Sequence, residues 1–274
     1  MEGMNSLMLN TDGVQIPQLG YGVWQVPAEE AEQAVTTAFK AGYRHIDTAA
    51  AYGNEEGVGR AVRNSGLPRE KVFVTTKLAN GEHARAEAAF DESLARLGLD
   101  YVDLYLIHWP MPGQDKYLQA WRAMEKIYRD GRAKAIGVSN FTVETLTRLM
   151  DEADIVPAIN QIELHPYFQQ RQMREFHEAN GILTEAWSPL GQGRGLLDDP
   201  ALRVLADKHC KTPAQIVLRW HLQLGNVVIP KSVTPARIAE NIDVFDFILD
   251  AEDLAAIGAL SRGQRLGPDP DSFE

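Results

Sequence analysis

Ionisable side chains occur at corresponding points of this 274-residue sequence, directly after short apolar runs. Asp47, Lys77 and His108 each follow such a run. Any one of them has a structural explanation as a polar residue at a strand-to-loop junction. A carboxylate, an ammonium group and an imidazole in the same register are harder to explain in this way than any one of them alone. Enzymes use these groups to transfer protons. The three residues are therefore candidates for a functional site at the carboxyl ends of the strands.

Polar side chains also lie in or after the remaining apolar runs. In barrels of parallel strands, the carboxyl ends of the strands meet at one face, and the active site lies there. We therefore expect these residues to surround the same site as the ionisable ones. They are Ser139, Asn140, Asn160, Gln161, Glu163, Trp187, Ser188, Lys231 and Ser232.

The elements that must position these groups are strands alternating with amphipathic helices. Continuous apolar, β-branched runs are typical of strands buried on both faces, as in parallel sheets. Six such runs are clear, and two weaker ones bring the total to eight. The clear runs are 72–76, 102–107, 135–138, 159–162, 182–186 and 227–229, and the weaker runs are 19–22 and 44–46. Helical periodicity predicts helices over 28–40, 87–97, 117–128, 142–150 and 212–224. Gly42 is the expected stop of the first of these helices, and Thr142 and Thr212 are expected to begin the last two.

This alternation predicts the α/β class, with eight βα units of about 34 residues each. Eight parallel strands can close into a (β/α)8 TIM barrel, and an open doubly wound sheet is the alternative. No linker divides the chain, so we expect residues 1–274 to form a single domain. Residues 7–16 contain Asp12-Gly13 between apolar pairs, which predicts an N-terminal β-hairpin at one end of the barrel.

Composition excludes several classes of function. The formal net charge of −11 argues against nucleic acid as a partner, since such binders usually carry a basic face. No apolar run approaches 18 residues, and the first residues lack a basic segment followed by an apolar one. We therefore expect no membrane partner and a cytoplasmic location.

The single cysteine, Cys210, rules out an internal disulfide and fits a reducing compartment. We expect its thiol to be buried or half-buried on a helix. No CxxC or HExxH pattern occurs, so no metal site of known pattern is predicted.

Six separated segments, covering nearly the whole chain, resemble the signatures of the aldo-keto reductases. They are GYRHIDTAAAYGNE (42–55), TKL (76–78), DLYLIHWP (103–110), IGVSNF (136–141), NQIELHP (160–166) and IPKS (229–232). GNEEGVG (53–59) and WSPLGQG (187–193) are similar to segments of the bacterial 2,5-diketo-D-gluconate reductases.

The resemblance implies a catalytic tetrad of Asp47, Tyr52, Lys77 and His108. Reduction of a carbonyl needs a hydride donor and a proton donor for the developing alkoxide. The implied proton donor is Tyr52, whose pKa a neighbouring Lys77 ammonium lowers. Asp47 would pair with Lys77, and His108 would orient the carbonyl oxygen.

The resemblance also implies NADPH/NADP+ as the cofactor, although the sequence has no dinucleotide-binding GxGxxG fingerprint. It assigns the nicotinamide carboxamide to Ser139, Asn140 and Gln161, and ring stacking to Trp187. The loop 188–195 is glycine-rich, and glycines let backbone N–H groups approach a pyrophosphate. The remaining implied cofactor residues are Ser188, Leu190 and Gln192 in this loop, Lys231, Ser232, Val233 and Arg237 near the 2′-phosphate, and Glu240 and Asn241 near the adenine.

Tyr21, Trp24, Trp109 and the segment from Arg262 onward are candidates for the substrate pocket. The expected substrates are small aldehydes, ketones, dicarbonyls or keto-sugar acids such as 2,5-diketogluconate, and the family tendency is a monomer. Two other functions stay open at this point. One is a cofactor-binding regulatory subunit with little turnover, and the other is a barrel hydrolase using Asp47 and Glu163.

Overall fold

The computed structural model describes residues 6–10 and 13–273, and its centre is a parallel sheet that follows two short N-terminal strands. These two are β1 (Ser6–Met8) and β2 (Gln15–Pro17). The sheet consists of β3 (Tyr21–Gly22), β4 (His45–Asp47), β5 (Phe73–Leu78), β6 (Val102–Ile107), β7 (Ala133–Ser139), β8 (Ile159–Glu163), β9 (Leu183–Trp187) and β10 (Val227–Val228). All neighbours are parallel, and their spatial order is the chain order.

The sheet closes on itself, because the segment before β3 pairs with β10. Leu19 forms a parallel bridge with Val228. The amide of Gly20 donates to the carbonyl of Val228 at 2.8 Å, and the amide of Val228 donates to the carbonyl of Gln18 at 2.9 Å. These bonds confirm the (β/α)8 barrel and exclude the open doubly wound sheet, whose edge strands would stay unpaired.

Helices lie around the outside of the barrel, between successive strands and after the last strand. They are α1 (Ala28–Ala41), α2 (Glu55–Asn64), α3 (Ala86–Leu97), α4 (Tyr117–Arg129), α5 (Val143–Glu152), α6 (Arg171–Ala179), α7 (Pro200–His209), α8 (Pro213–Gln223), α9 (Pro235–Ile242) and α10 (Ala251–Gly258). The predicted stop at Gly42 is confirmed, with φ at 110° where a side chain would be strained. Thr142 and Thr212 cap α5 and α8 with capping boxes, as the sequence indicates.

The predicted N-terminal hairpin is confirmed by antiparallel pairing of Leu7 with Ile16. Thr11 and Asp12 of its predicted turn lie outside the described residues. Asn10 donates to the carbonyls of Pro157 and Gly181, which lie just before β8 and β9. The hairpin therefore covers the amino-terminal end of the barrel and leaves the carboxyl-terminal end open.

The expectation for Cys210 is wrong, because its side chain is exposed. Cys210 is the C-cap residue of α7, in a left-handed conformation with φ at 52°. Its thiol lies on the surface at this helix end. Within residues 6–10 and 13–273, no helix is long and apolar enough to cross a membrane. In the same ranges, no three His, Cys, Asp or Glu side chains are grouped as metal ligands.

Candidate active site

Asp47 and Lys77 form a buried ion pair at the open end of the barrel. Asp47 is the last residue of β4, and its side chain is 1% exposed. Lys77 lies near the end of β5, and its side chain is 0% exposed. The Lys77 Nζ donates to Asp47 Oδ1 at 2.6 Å and to the carbonyl of Thr48 at 2.9 Å. Burial by itself lowers the pKa of Lys77, but the charge of Asp47 and the phenol of Tyr52 outweigh it and raise the pKa. Lys77 is therefore a fixed ammonium group.

Tyr52 lies on a short 3-10 turn, Ala50–Tyr52, directly after β4. Lys77 Nζ lies 3.3 Å from the Tyr52 hydroxyl and 5.0 Å from the centre of its ring. Burial raises the pKa of Tyr52, and the opposing effect of the Lys77 charge does not overcome it. From the sequence, Lys77 is expected to lower the pKa of Tyr52, whereas in the structure the effect of burial is larger and the pKa is raised. The phenol is therefore protonated at neutral pH, as a proton donor must be.

His108 follows β6 and faces Tyr52, with the two ring centres 5.6 Å apart. Burial, and then the Lys77 charge, lower the pKa of His108 to about 3. Its Nδ1 is buried without a hydrogen-bond partner among the described residues. The imidazole is thus neutral at physiological pH and suited to hydrogen-bond an oxygen rather than to carry charge.

A chain of hydrogen bonds links this cluster to Trp187 at the end of β9. The Gln161 side-chain amide donates to Asp47 Oδ2 at 2.8 Å. Ser139 Oγ donates to the carbonyl of Gln161 at 2.8 Å, and Asn140 Nδ2 lies 3.1 Å from Ser139 Oγ. The Trp187 indole N–H donates to Asn140 Oδ1 at 2.7 Å. The amide groups and the aromatic ring are therefore held in one network with the ion pair.

Glu185 and His45 lie below the ion pair in the barrel interior, and sequence reasoning missed both. His45 Nε2 lies 3.8 Å from Glu185 Oε1, and neither side chain is exposed. Burial, and then the nearby charge of Asp47, raise the pKa of Glu185 to about 8. Burial lowers the pKa of His45 to about 4. Although their distance is that of an ion pair, both groups are neutral at pH 7.

A cavity of about 1210 Å³ opens beside the cluster. Asp47, Tyr52 and His108 line it, whereas Lys77 lies behind them. All of the predicted cofactor residues line the same cavity. They are Ser139, Asn140, Gln161, Trp187, Ser188, Leu190, Gln192, Lys231, Ser232, Val233, Arg237, Glu240 and Asn241.

The outer end of this cavity has the chemistry of an anion site. Lys231 and Arg237 are exposed there, the latter on the first turns of α9. Gly191, Gln192 and Gly193 have φ of 73°, 54° and 70°, a left-handed backbone that can turn N–H groups toward a ligand. Glycine is the residue that adopts this conformation without strain. The residues present therefore fit the phosphates of a dinucleotide.

Of the predicted substrate residues, Trp24 and Trp109 line the cavity, and Tyr21 does not. Tyr21 is only 1% exposed, its ring packs edge-on against Tyr43, and its hydroxyl donates to the carbonyl of Ser232 at 2.5 Å. The Tyr21 prediction is thus corrected: its ring is part of the wall behind the cavity, and its hydroxyl supports the Ser232 backbone.

Sequence reasoning missed several other cavity-lining residues, among them Gln25 and Asn80. Asn80 follows β5 by two residues, so the polar-residue-after-strand signal would have found it. The predicted segment from Arg262 onward does reach the cavity, where Phe273 packs against Trp109 with the ring centres 4.5 Å apart.

The aldo/keto reductase family profile matches residues 17–262. The chain belongs to the aldo/keto reductase family. As a member it is an oxidoreductase that acts on carbonyl compounds, and NADP(H) is the cofactor of the family.

Similar proteins agree with this assignment over the full length. The methylglyoxal reductase DkgA of Escherichia coli K12 is 56% identical over 263 residues, which are 96% of each chain. The crystal structure of an aldo/keto reductase from Brucella melitensis is 57% identical, has a TM-score of 0.91 and covers 95% of this chain and 99% of its own. A mutant of Gox0644 in complex with NADPH is 48% identical, with a TM-score of 0.95 and all of both chains covered.

Proposed function

We propose that this aldo/keto reductase uses NADPH to reduce small aldehydes, ketones and dicarbonyls, with Tyr52 as the proton donor. One observation carries the proposal. The protonated Tyr52 hydroxyl lies at the cavity wall, 3.3 Å from the buried ammonium group of Lys77 and beside the neutral imidazole of His108. A proton donor, a fixed positive charge and a hydrogen-bonding group therefore meet where a carbonyl oxygen can enter.

In the proposed reaction, bound NADPH supplies the hydride that adds to the carbonyl carbon. Tyr52 gives its proton to the oxygen as the carbon–oxygen double bond becomes single. The phenolate left behind is stabilised by Lys77, whose charge Asp47 maintains. His108 orients the carbonyl oxygen through a hydrogen bond, which adds to the stabilisation of the developing negative charge.

The cavity lining supports NADPH as the reductant. Trp187 offers a ring face for stacking on the nicotinamide, and Ser139, Asn140 and Gln161 offer amide and hydroxyl groups for its carboxamide. At the outer end, Ser188, Leu190 and Gln192 of the glycine-rich loop would contact the pyrophosphate. Lys231, Ser232, Val233 and Arg237 would receive the 2′-phosphate, and Glu240 and Asn241 would meet the adenine.

The substrate is proposed to be a small polar carbonyl compound, with methylglyoxal as the first candidate. The 56% identity with a protein named methylglyoxal reductase supports this choice. Trp24 and Trp109 supply aromatic walls to the cavity that Tyr52 also lines. Keto-sugar acids such as 2,5-diketogluconate are the second candidate class, on the resemblance of segments 53–59 and 187–193.

The test is the loss of NADPH absorbance with a panel of methylglyoxal, 2,5-diketogluconate and simple aldehydes. Wild-type protein is expected to turn over at least one of them. Tyr52→Phe should lower kcat by about 10²–10⁴-fold, because it removes a general acid and little volume. The Kd for NADPH, measured by the quenching of tryptophan fluorescence, should stay unchanged. Tight NADPH binding without turnover by the wild type would instead favour the regulatory subunit.

We also propose that residues 1–274 form one catalytic domain that acts as a monomer in the cytoplasm. The net charge of −11 supports this proposal, because a net charge far from zero keeps proteins soluble and monomeric. Size-exclusion chromatography with light scattering should give the mass of one chain, 30.5 kDa, and a dimer mass would contradict the proposal.

A further inference from the structure

The final segment of the chain crosses the open end of the barrel after α10. We call residues 261–273 the C-terminal strap. Leu266, Gly267, Pro268 and Phe273 of the strap line the cavity. Its first part is fixed to the loop after β8, since the amides of Arg262 and Gln264 both donate to the carbonyl of Tyr167 at 3.1 Å. The strap therefore forms one wall of the proposed substrate end.

Glu163, the last residue of β8, binds the next part of the strap. Its carboxylate is 0% exposed and accepts the Leu266 amide at 2.6 Å through Oε1 and the Gly267 amide at 2.8 Å through Oε2. His165 Nε2 lies 2.9 Å from the same Oε1. Burial raises the pKa of Glu163, but the hydrogen bonds from His165, Gly267 and Leu266 together outweigh it and lower the pKa.

This carboxylate is enclosed and does not line the cavity, unlike the acid of a barrel hydrolase. Both of its oxygens already accept hydrogen bonds from the strap or from His165. A carboxylate that accepts N–H donors at both oxygens is held in its charged form, and neither oxygen here is open to the cavity for proton transfer. Glu163, one of the two hydrolase candidates, is therefore not placed to act as an acid or base in the cavity, and it binds the strap instead.

The strap that Glu163 holds lies directly against the rings of the site. A Cβ atom built on Gly267 would come within 2.5 Å of Trp187 Cη2, so the strap backbone touches the indole edge. The Phe273 ring packs on Trp109, with centres 4.5 Å apart, and Trp109 is 6.5 Å from Trp187. The position of the strap therefore determines the space between Trp109 and Trp187.

We propose that Glu163 is a positioning residue, whose carboxylate clamps the strap amides of Leu266 and Gly267 and so sets the carbonyl-binding end of the cavity. This proposal rests on the proposed reductase function. Its chemical basis is that only an ionised carboxylate offers two separate acceptor atoms to two successive amides.

Glu163→Gln tests the clamp without changing the size of the side chain. One of its terminal atoms becomes an NH2 donor, which cannot accept an amide N–H. We expect KM for the carbonyl substrate to rise about tenfold, equivalent to about 1.4 kcal/mol, with kcat and the Kd for NADPH nearly unchanged. Glu178→Gln is the matched control, because Glu178 is an exposed carboxylate on the nearby α6.

Limited trypsin digestion reports on the strap without any turnover. Arg262 and Arg265 lie within it, and their guanidinium groups stack on Tyr167 and Phe168 at 3.4 and 4.6 Å from the ring centres. In Glu163→Gln, cleavage after Arg265 should be about tenfold faster than in wild type or Glu178→Gln. Gly267→Ala is a second variant that keeps the Glu163 side chain and is expected to free the strap, because its Cβ would meet Trp187 at 2.5 Å and Glu163 Oε2 at 3.1 Å.

Equal cleavage rates in wild type, Glu163→Gln and Gly267→Ala would overturn the proposal. A Glu163→Gln protein with lowered kcat but wild-type KM and cleavage would overturn it as well, because that result describes a group acting in the chemistry. If wild type reduces no carbonyl, the reductase function fails. Faster cleavage in the two variants would still support the clamp in that case.

Discussion

Lys77 and Asp47 are both buried, so removing either charge leaves the other without its partner. Lys77→Met is expected to abolish turnover and to lower the free energy of unfolding by about 3–5 kcal/mol, because the Asp47 carboxylate stays in the barrel interior. Urea unfolding at pH 7 measures the loss.

The double variant Asp47→Asn, Lys77→Met separates stability from catalysis. It should regain most of the unfolding free energy, since no unpaired charge is buried, and yet stay inactive. A single variant Lys77→Met as stable as wild type would contradict the buried-pair account.

Glu185 gives a second prediction at the residue scale, through its pKa of about 8 in the folded protein. Because this pKa is raised above the value in the unfolded chain, about 4.3, its contribution to stability is fully present below pH 4. It is lost as pH rises toward and through 8, by up to about 1.4 kcal/mol per pH unit. Glu185→Gln, which resembles the neutral acid, should remove this part of the pH dependence.

The measurement is urea unfolding of wild type and Glu185→Gln at a series of pH values from 5 to 9. The stability difference should move in favour of the variant as pH rises. A difference that stays constant over this range would show that Glu185 is not protonated in the folded protein.

Among the elements, we propose that the beginning of α9 and the preceding loop decide cofactor selectivity. Pro235 is the first residue of α9, and this position places the Arg237 side chain at the outer end of the cavity, near Lys231. A guanidinium group suits a phosphate because it can donate two parallel hydrogen bonds. The helix bounds follow from local sequence, whereas the approach of α9 to the β9 loop depends on the closed barrel.

Arg237→Ala should raise KM for NADPH about tenfold or more and leave KM for NADH nearly unchanged, since only NADPH carries the 2′-phosphate. Steady-state kinetics with both cofactors measure the two values. Arg122→Ala is the control, because Arg122 is an exposed arginine on α4 with no contact to the cavity. Equal increases for both cofactors would contradict the phosphate assignment.

At the scale of the whole molecule, the two ends of the barrel have separate tasks. The hairpin side chains Leu9 and Ile16 pack with Phe73, Leu104 and Ile159 at the amino-terminal end. The tetrad and the cavity lie at the opposite end. In barrel enzymes the amino-terminal face serves stability, and the carboxyl-terminal face carries the chemistry.

Ile16→Ala should therefore lower the free energy of unfolding by about 2–5 kcal/mol, because Ile16 is fully buried and leaves a cavity. KM values for substrate and NADPH should stay at wild-type levels under native conditions. Thermal or urea unfolding and steady-state kinetics on the same preparation check both parts. A large change in KM would show that the two ends are coupled.

Local sequence patterns predicted most of the strands and helices and the candidate site residues. Continuous apolar runs indicated strands buried on both faces, and Thr142, Thr212 and Gly42 marked helix ends through local hydrogen bonds and backbone preference. The tetrad was implied by the resemblance to the aldo-keto reductases, and only Asp47, Lys77 and His108 also had a local signal, because each directly follows an apolar run.

Which groups are buried together follows from the folded barrel and not from local sequence. Glu185 and His45 are 140 residues apart in sequence, and closure of the barrel alone makes them neutral neighbours. Tyr21 looked like a pocket residue but is enclosed by Tyr43 and Ser232, and the C-terminal strap reaches Glu163 from more than 100 positions away. The physical reason is that desolvation and long-range contacts depend on the surroundings of a side chain, which a linear pattern of residues does not contain.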